Sequence, residues 1–266
     1  ADPNGDAEYL ELKNISDTVT LDLEGISFTA GVDFTFPPGA TLAPGAYTLV
    51  VLDQAAFEAV HGNGLPIAGV FQNGSRLNNG SDRIKLEDAS NSTIQEFTYD
   101  DESPWPSGPD GNGFSLVLIN PTSSPIHDEA TNWRESSLIG GNPGGSDATQ
   151  FSGNPDADSD NDGLSDLLEY GLGTSPTTPN PTPFKVNIVG GVVEIQTTIN
   201  QAADDLEIRI QQSSGLETWD DADDDLSLFS RTNNGDGTAS VVYRSSPNFL
   251  QTNELQFFRI KITLIP

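Results

Sequence analysis

Hydrophobic and polar positions alternate with a period of two along most of the chain, in short runs that end at turns. Tyr9-Leu10-Glu11-Leu12, Val19-Thr20-Leu21-Asp22-Leu23 and Val32-Asp33-Phe34-Thr35-Phe36 each turn one set of side chains inward and the other toward water, and Pro37-Pro38-Gly39 stops the third run. Tyr47 to Leu52 is apolar at nearly every position and predicts a strand covered on both faces. Further strands are predicted over 83–86, 94–99 and 114–119. One short helix is predicted over 54–60, where Asp53 can cap and Ala, Phe and Val recur at helical spacing. Many short strands with one brief helix predict a β-sandwich for residues 1–146.

The pattern breaks over residues 147–183. Apolar residues thin out, no lysine or arginine occurs, and the stretch leaves through the proline-rich Thr177-Thr178-Pro179-Asn180-Pro181-Thr182-Pro183. It reads as a linker. Alternation returns over 184–266. Phe184–Val189 and Val192–Thr198 flank Gly190-Gly191, a two-residue hairpin signal, and strands follow over 206–211, 239–243 and 255–265. The fold class read from the pattern is all-β: two immunoglobulin-like β-sandwiches joined by a short loop-helix linker.

Composition narrows the functional classes. With 11 Lys+Arg against 40 Asp+Glu, the formal net charge is −29, which opposes nucleic acid and anionic lipid and favours divalent cations. The absence of cysteine removes disulfides, thiol catalysis and cysteine-ligated metals. The absence of methionine suits a mature product or an excised segment. No apolar run approaches the ~20 residues of a membrane helix, so no membrane insertion is expected.

One motif carries chemistry. Asp158-Ser-Asp160-Asn-Asp162-Gly163-Leu164-Ser-Asp166-Leu-Leu-Glu169 fits the twelve-residue calcium loop D-x-D-x-D-G-x5-E at every position. Alternate carboxylates at 158, 160 and 162 turn inward, and Gly163 permits the sharp bend. Leu164 offers its carbonyl, Asp166 acts directly or through water, and Glu169 closes the shell bidentately from the first turns of a helix. Hard oxygens in that number suit Ca2+ rather than Mg2+. Asp156 lies outside the loop, and whether it or the Asp220, Asp221, Asp223, Asp224, Asp225 cluster serves a further ion is left open. Removing the metal is expected to loosen 154–176 while both sandwiches stay folded.

The loop, its approach Asn154-Pro155-Asp156 and its exit Gly173-Thr174-Ser175-Pro176 resemble thrombospondin type 3-like repeats of bacterial surface proteins, in which the metal holds a coreless segment in shape. Asp6-Ala7-Glu8-Tyr9-Leu10-Glu11-Leu12-Lys13-Asn14, Phe34-Thr35-Phe36-Pro37, Gly80-Ser81-Asp82-Arg83-Ile84-Lys85-Leu86 and Thr131-Asn132-Trp133-Arg134 resemble blocks of bacterial lamin-tail domains, over about 5–136. That resemblance implies an immunoglobulin-like sandwich with no catalytic residue. Such domains begin with an apolar strand ahead of the Asp6 block, where this chain has Ala1 to Gly5; the strand containing Tyr9–Leu12, or its immediate neighbour, is then an open edge, expected to be covered by another chain or by packing in a crystal. Gly215 to Trp219, Asn234-Gly235-Asp236-Gly237-Thr238 and Phe257-Phe258-Arg259-Ile260 resemble terminal β-modules of large secreted proteins of planctomycete and verrucomicrobial bacteria.

Other candidates favour bland roles. Trp105, between prolines, plugs one end of a sandwich rather than stacking on sugar; Trp133 is expected in the core with Arg134 over its ring. Trp219 beside the aspartate run is expected as a buried ring under a solvated loop, and His127-Asp128-Glu129 as a surface loop. No catalytic residue is assigned and the ligand-binding residues are unknown. The reading is a non-enzymatic structural or adhesive portion of a secreted or cell-surface bacterial protein, rigidified by calcium, with extracellular polysaccharide or another surface protein as partner. The alternatives are a carbohydrate-binding accessory module of a polysaccharide-degrading parent and an enzyme built on a carboxylate pair or bound metal.

Overall fold

The computed structural model describes residues 5–252 and 256–265, with no side-chain detail at 251 and 252. The chain is all-β and divides into two compact units, 1–147 and 148–266. The division falls between 147 and 148, and residues 148–183 group with the second unit.

In the first unit the strands are β1 (Tyr9–Lys13), β2 (Leu21–Asp22), β3 (Ser27–Ala30), β4 (Phe34–Thr35), β5 (Thr41–Leu42) and β6 (Tyr47–Val51). Helix α1 (Gln54–His61) follows, then β7 (Ile67–Val70), β8 (Asp82–Glu87), β9 (Thr93–Tyr99), β10 (Leu116–Leu118) and β11 (Trp133–Glu135). Sheets β1-β6-β7 and β4-β3-β8-β9 face each other. Leu10, Leu12 and Val50 from the first meet Phe28, Phe34, Ile84 and Leu86 from the second in one core. Short ladders β2-β5 and β10-β11 complete the unit.

Strand β6 is apolar throughout because both its faces are covered. Val50 points into the sandwich, whereas Leu49 and Val51 pack under Phe57 of α1; all four are wholly buried. The helix starts where the Asp53 side chain accepts from the Ala56 amide at 2.8 Å. It carries the chain back so that β7 pairs parallel with β6. Strand β1 is an edge strand, as expected, but its outer face is held within its own unit. The Tyr9 hydroxyl meets Ser115 Oγ at 2.8 Å and donates to the Gly140 carbonyl, and Glu11 Oε2 accepts from the Gly144 amide at 2.6 Å. The expected missing first strand falls on residues 1–4, outside the described residues.

The second unit contains helix α2 (Asp166–Leu172), then β12 (Lys185–Val189), β13 (Val192–Asn200), β14 (Leu206–Ser213), β15 (Asp220–Asp221), β16 (Leu226–Asn233), β17 (Thr238–Ser245), α3 (Phe249–Thr252) and β18 (Phe257–Leu264). Sheets β12-β13-β17-β16 and β15-β14-β18 enclose Val193, Ile195, Ile210, Ala222, Leu226 and Phe249. Gly190 and Gly191, with φ of 60° and 88°, turn β12 into β13 in the two-residue hairpin expected.

Helix α2 is built into this sandwich. It touches β13 in one sheet and β18 in the other. Leu172 is wholly buried, and Gly171 lies so close to Ile262 and Leu206 that a side chain has no room there. Thr198 Oγ1 donates to the Leu172 carbonyl at 2.8 Å, tying the helix end to β13. Tyr170 donates to Asp205 at 2.9 Å, and the Thr149 amide donates to the Ala202 carbonyl at 2.8 Å.

Candidate metal centre

The loop before α2 folds on its own carboxylates. The Asp162 amide donates to Asp158 Oδ1 at 3.2 Å and Asp160 Oδ1 at 3.1 Å, and the Gly163 amide donates to Asp158 Oδ2 at 3.1 Å. The Leu164 amide donates to Asp162 Oδ1 at 2.9 Å. Gly163 has φ 97°, which favours glycine at the bend. Ser165 then caps the helix, its hydroxyl accepting from the Leu168 amide at 3.3 Å.

These bonds bring Asp158, Asp160 and Asp162 together, with one oxygen of each within 4.8 Å of the others. Glu169, one turn into α2, is wholly buried. One of its oxygens, Oε2, has no hydrogen-bond partner, and neither has the buried Oδ2 of Asp160. Burial, and then the charges of Asp160 and Asp162, push the Glu169 carboxyl above the usual range, with a smaller contribution from Asp166. Carboxylates this close repel by about 1 kcal/mol per pair even with water-like screening. A hard divalent cation is the partner that two unsatisfied buried oxygens and this repulsion call for, and the donor set fits calcium.

Asp166 stands differently from its neighbours in the motif. It accepts from the Ser159 amide at 2.9 Å and the Ser159 hydroxyl at 2.7 Å, one oxygen each, and its amide bonds the Ala157 carbonyl. It braces the loop from outside the trio, a placement compatible with contact through water. The Leu164 backbone is positioned beside the trio by the bond to Asp162. Asp156 is exposed and stands apart from the cluster.

Two residues absent from the motif complete the surroundings. The Asn180 amide donates to Asp162 Oδ2 at 2.9 Å, while its side chain reaches Glu169 Oε1 at 3.4 Å. Thr174 Oγ1 also meets Glu169 Oε1 at 3.4 Å. Thr174 follows directly on α2, whereas Asn180 lies on the proline-rich exit, which therefore wraps back over the loop before entering β12. Loop spacing carries no signal for a contact 18 residues downstream.

The remaining candidates resolve into packing. Trp133 does not stack on Arg134 as expected: its ring lies against Phe97 at 5.3 Å, with His127 and Trp105 beside it, and its indole N–H donates to the His127 carbonyl. Arg134 points the other way, into a buried ion pair with Asp147 at 2.5 Å. Successive strand residues face opposite sides, so Trp133 and Arg134 could not share a face. Trp105 packs on Trp133, and Arg259 lies over the Trp219 ring at 4.4 Å. Within the aspartate run, Asp221 and Asp223 pair with Arg209 at 3.2 and 3.0 Å. His127 Nδ1 meets the Pro125 carbonyl, and Asp128 accepts from the Thr98 amide, so this triplet is tied to backbone.

No curated protein matches this sequence. Residues 1–101 match the family model of the Lamin Tail Domain, so that stretch of the first unit is similar to this family.

Proposed function

We propose that this chain is a structural or adhesive portion of an extracellular or cell-surface bacterial protein, and that calcium bound within residues 158–169 holds its C-terminal unit in shape. The lamin-tail domain is consistent with a non-catalytic structural role. The observation that carries the calcium reading is Glu169: a wholly buried carboxylate with an unpartnered oxygen beside three gathered aspartates. The likeness of 154–176 to thrombospondin type 3-like repeats supports the same reading, and the net charge of −29 suits calcium-rich surroundings.

Asp158, Asp160, Asp162, the Leu164 carbonyl and Glu169 would hold the ion, with Asp166 reaching it through water. Extracellular calcium modules bind at about 10⁻⁴ to 10⁻³ M. Calorimetry on the chain and on the Asp160→Ala, Glu169→Gln double variant tests the assignment. One calcium per chain, lost in the variant, is expected. Unchanged uptake in the variant overturns it.

A further inference from the structure

The larger sheet of the second unit overhangs the smaller one. In its ladder Val186 pairs with Ile195 and Ile188 with Val193. Directly opposed residues of neighbouring strands share a face, so Val186 and Ile188 point to the core side with Ile195 and Val193. Yet Ile195 and Val193 are 0% and 4% exposed, whereas Val186 and Ile188 are 46% and 68% exposed. The opposing sheet β15-β14-β18 has three strands against four and does not reach over β12. Among the described residues the outer edge of β12 is also unpaired, since the strand order begins there. All five of its residues are exposed.

Charge selects the occupant. Residues 170–193 contain no aspartate or glutamate, in a chain with 40 of them, and β12 adds one lysine. Elsewhere two copies of net charge −29 repel; here their edges meet without opposed carboxylates. The strand is also self-complementary. Antiparallel pairing of Lys185–Val189 with its own copy, centred on Asn187, sets Val186 against Ile188 of the second copy twice over. A two-fold axis normal to the sheet keeps both overhanging apolar pairs on one side. Natural edge strands that avoid pairing are shortened, bulged or given inward-pointing charges, and β12 has valine and isoleucine at its inward positions.

We propose that β12 is a self-association edge through which two copies of this chain join their four-stranded sheets into one. Sedimentation equilibrium of the full chain, in calcium and high salt to screen its charge, tests this. The average mass should climb from that of one chain toward that of two with rising concentration. Ile188→Glu and, separately, Val186→Glu should each hold the chain monomeric with unchanged circular dichroism, since both positions are solvent-exposed. The amides of β12 should exchange more slowly at high concentration in the parent alone. A parent that stays monomeric throughout overturns the proposal, as does a dimer that both variants preserve.

Discussion

Glu169 and Leu172 lie one turn apart on α2 and are both wholly excluded from solvent, Glu169 beneath the acidic loop and Leu172 in the second unit's interior. Positions three apart share a helix face, so the buried side of this seven-residue helix serves both environments. A helix of that length is not stable alone and takes its stability from what it packs against. The acidic loop and the sandwich are therefore joined through α2, and chelation is predicted to reach the strands that α2 touches as well as 154–176.

Leu172→Ala tests the packing half of this dependence. Removing a fully buried leucine side chain costs about 2–5 kcal/mol. The variant should lower the thermal stability of the second unit and weaken calcium binding, although Leu172 carries no metal-binding group. Calorimetric titration and thermal scans read both effects. An unstable variant that binds calcium as tightly as the parent would separate the helix from the site.

In the first unit, Arg134 and Asp147 form a buried pair, with side chains 6% and 5% exposed. Asp147 also accepts from the amide and hydroxyl of Ser137. Arg134→Met leaves Asp147 buried without its cation and should destabilise the unit by about 3–5 kcal/mol. Chemical denaturation followed by the fluorescence of Trp105 and Trp133 would report it. A shift under about 1 kcal/mol would mean that water reaches Asp147.

Glu11 makes the first unit sensitive to pH. Burial pushes its carboxyl up to about 7 from an ordinary 4.5, although the Gly144 amide and Lys13 act against the rise. The folded state holds this proton more tightly than the unfolded chain does. Its contribution to stability is therefore greatest below the unfolded value and is lost as pH climbs through about 7. Glu11→Gln, which keeps an oxygen for the Gly144 amide, should flatten that part of the stability profile. Parallel profiles for parent and variant from about pH 5 to about pH 8 would contradict the assignment.

Alternation disclosed much of this architecture because most strands have one wet face. Tyr9–Leu12, the strands around Ile84 and Phe97, and the Gly190-Gly191 hairpin stand where period two places them. Strand β7 was not legible, because Ile67-Ala68-Gly69-Val70 does not alternate and its parallel partner is reached through a helix. Neither was β16, where a bulge between Leu228 and Ser230 breaks the period. Val19–Leu23 read as a full strand but pairs only at Leu21–Asp22. At the candidate site the register of Asp158, Asp160 and Asp162 was legible from spacing alone. The return of Asn180 onto Glu169 was not, since a proline-rich exit reads as extended chain. The core role of Gly171 and Leu172 was hidden for a similar reason, as two residues in a polar stretch show no periodicity.

Hydrogen exchange of the full chain, with calcium and then with chelator, measures the central dependence directly. With chelator, protection should fall through 154–180, α2 and the strands it touches, β13 and β18, while residues 5–147 keep theirs. Loss confined to the loop, with β13 and β18 unchanged, would contradict the account and return 154–176 to the status of a linker.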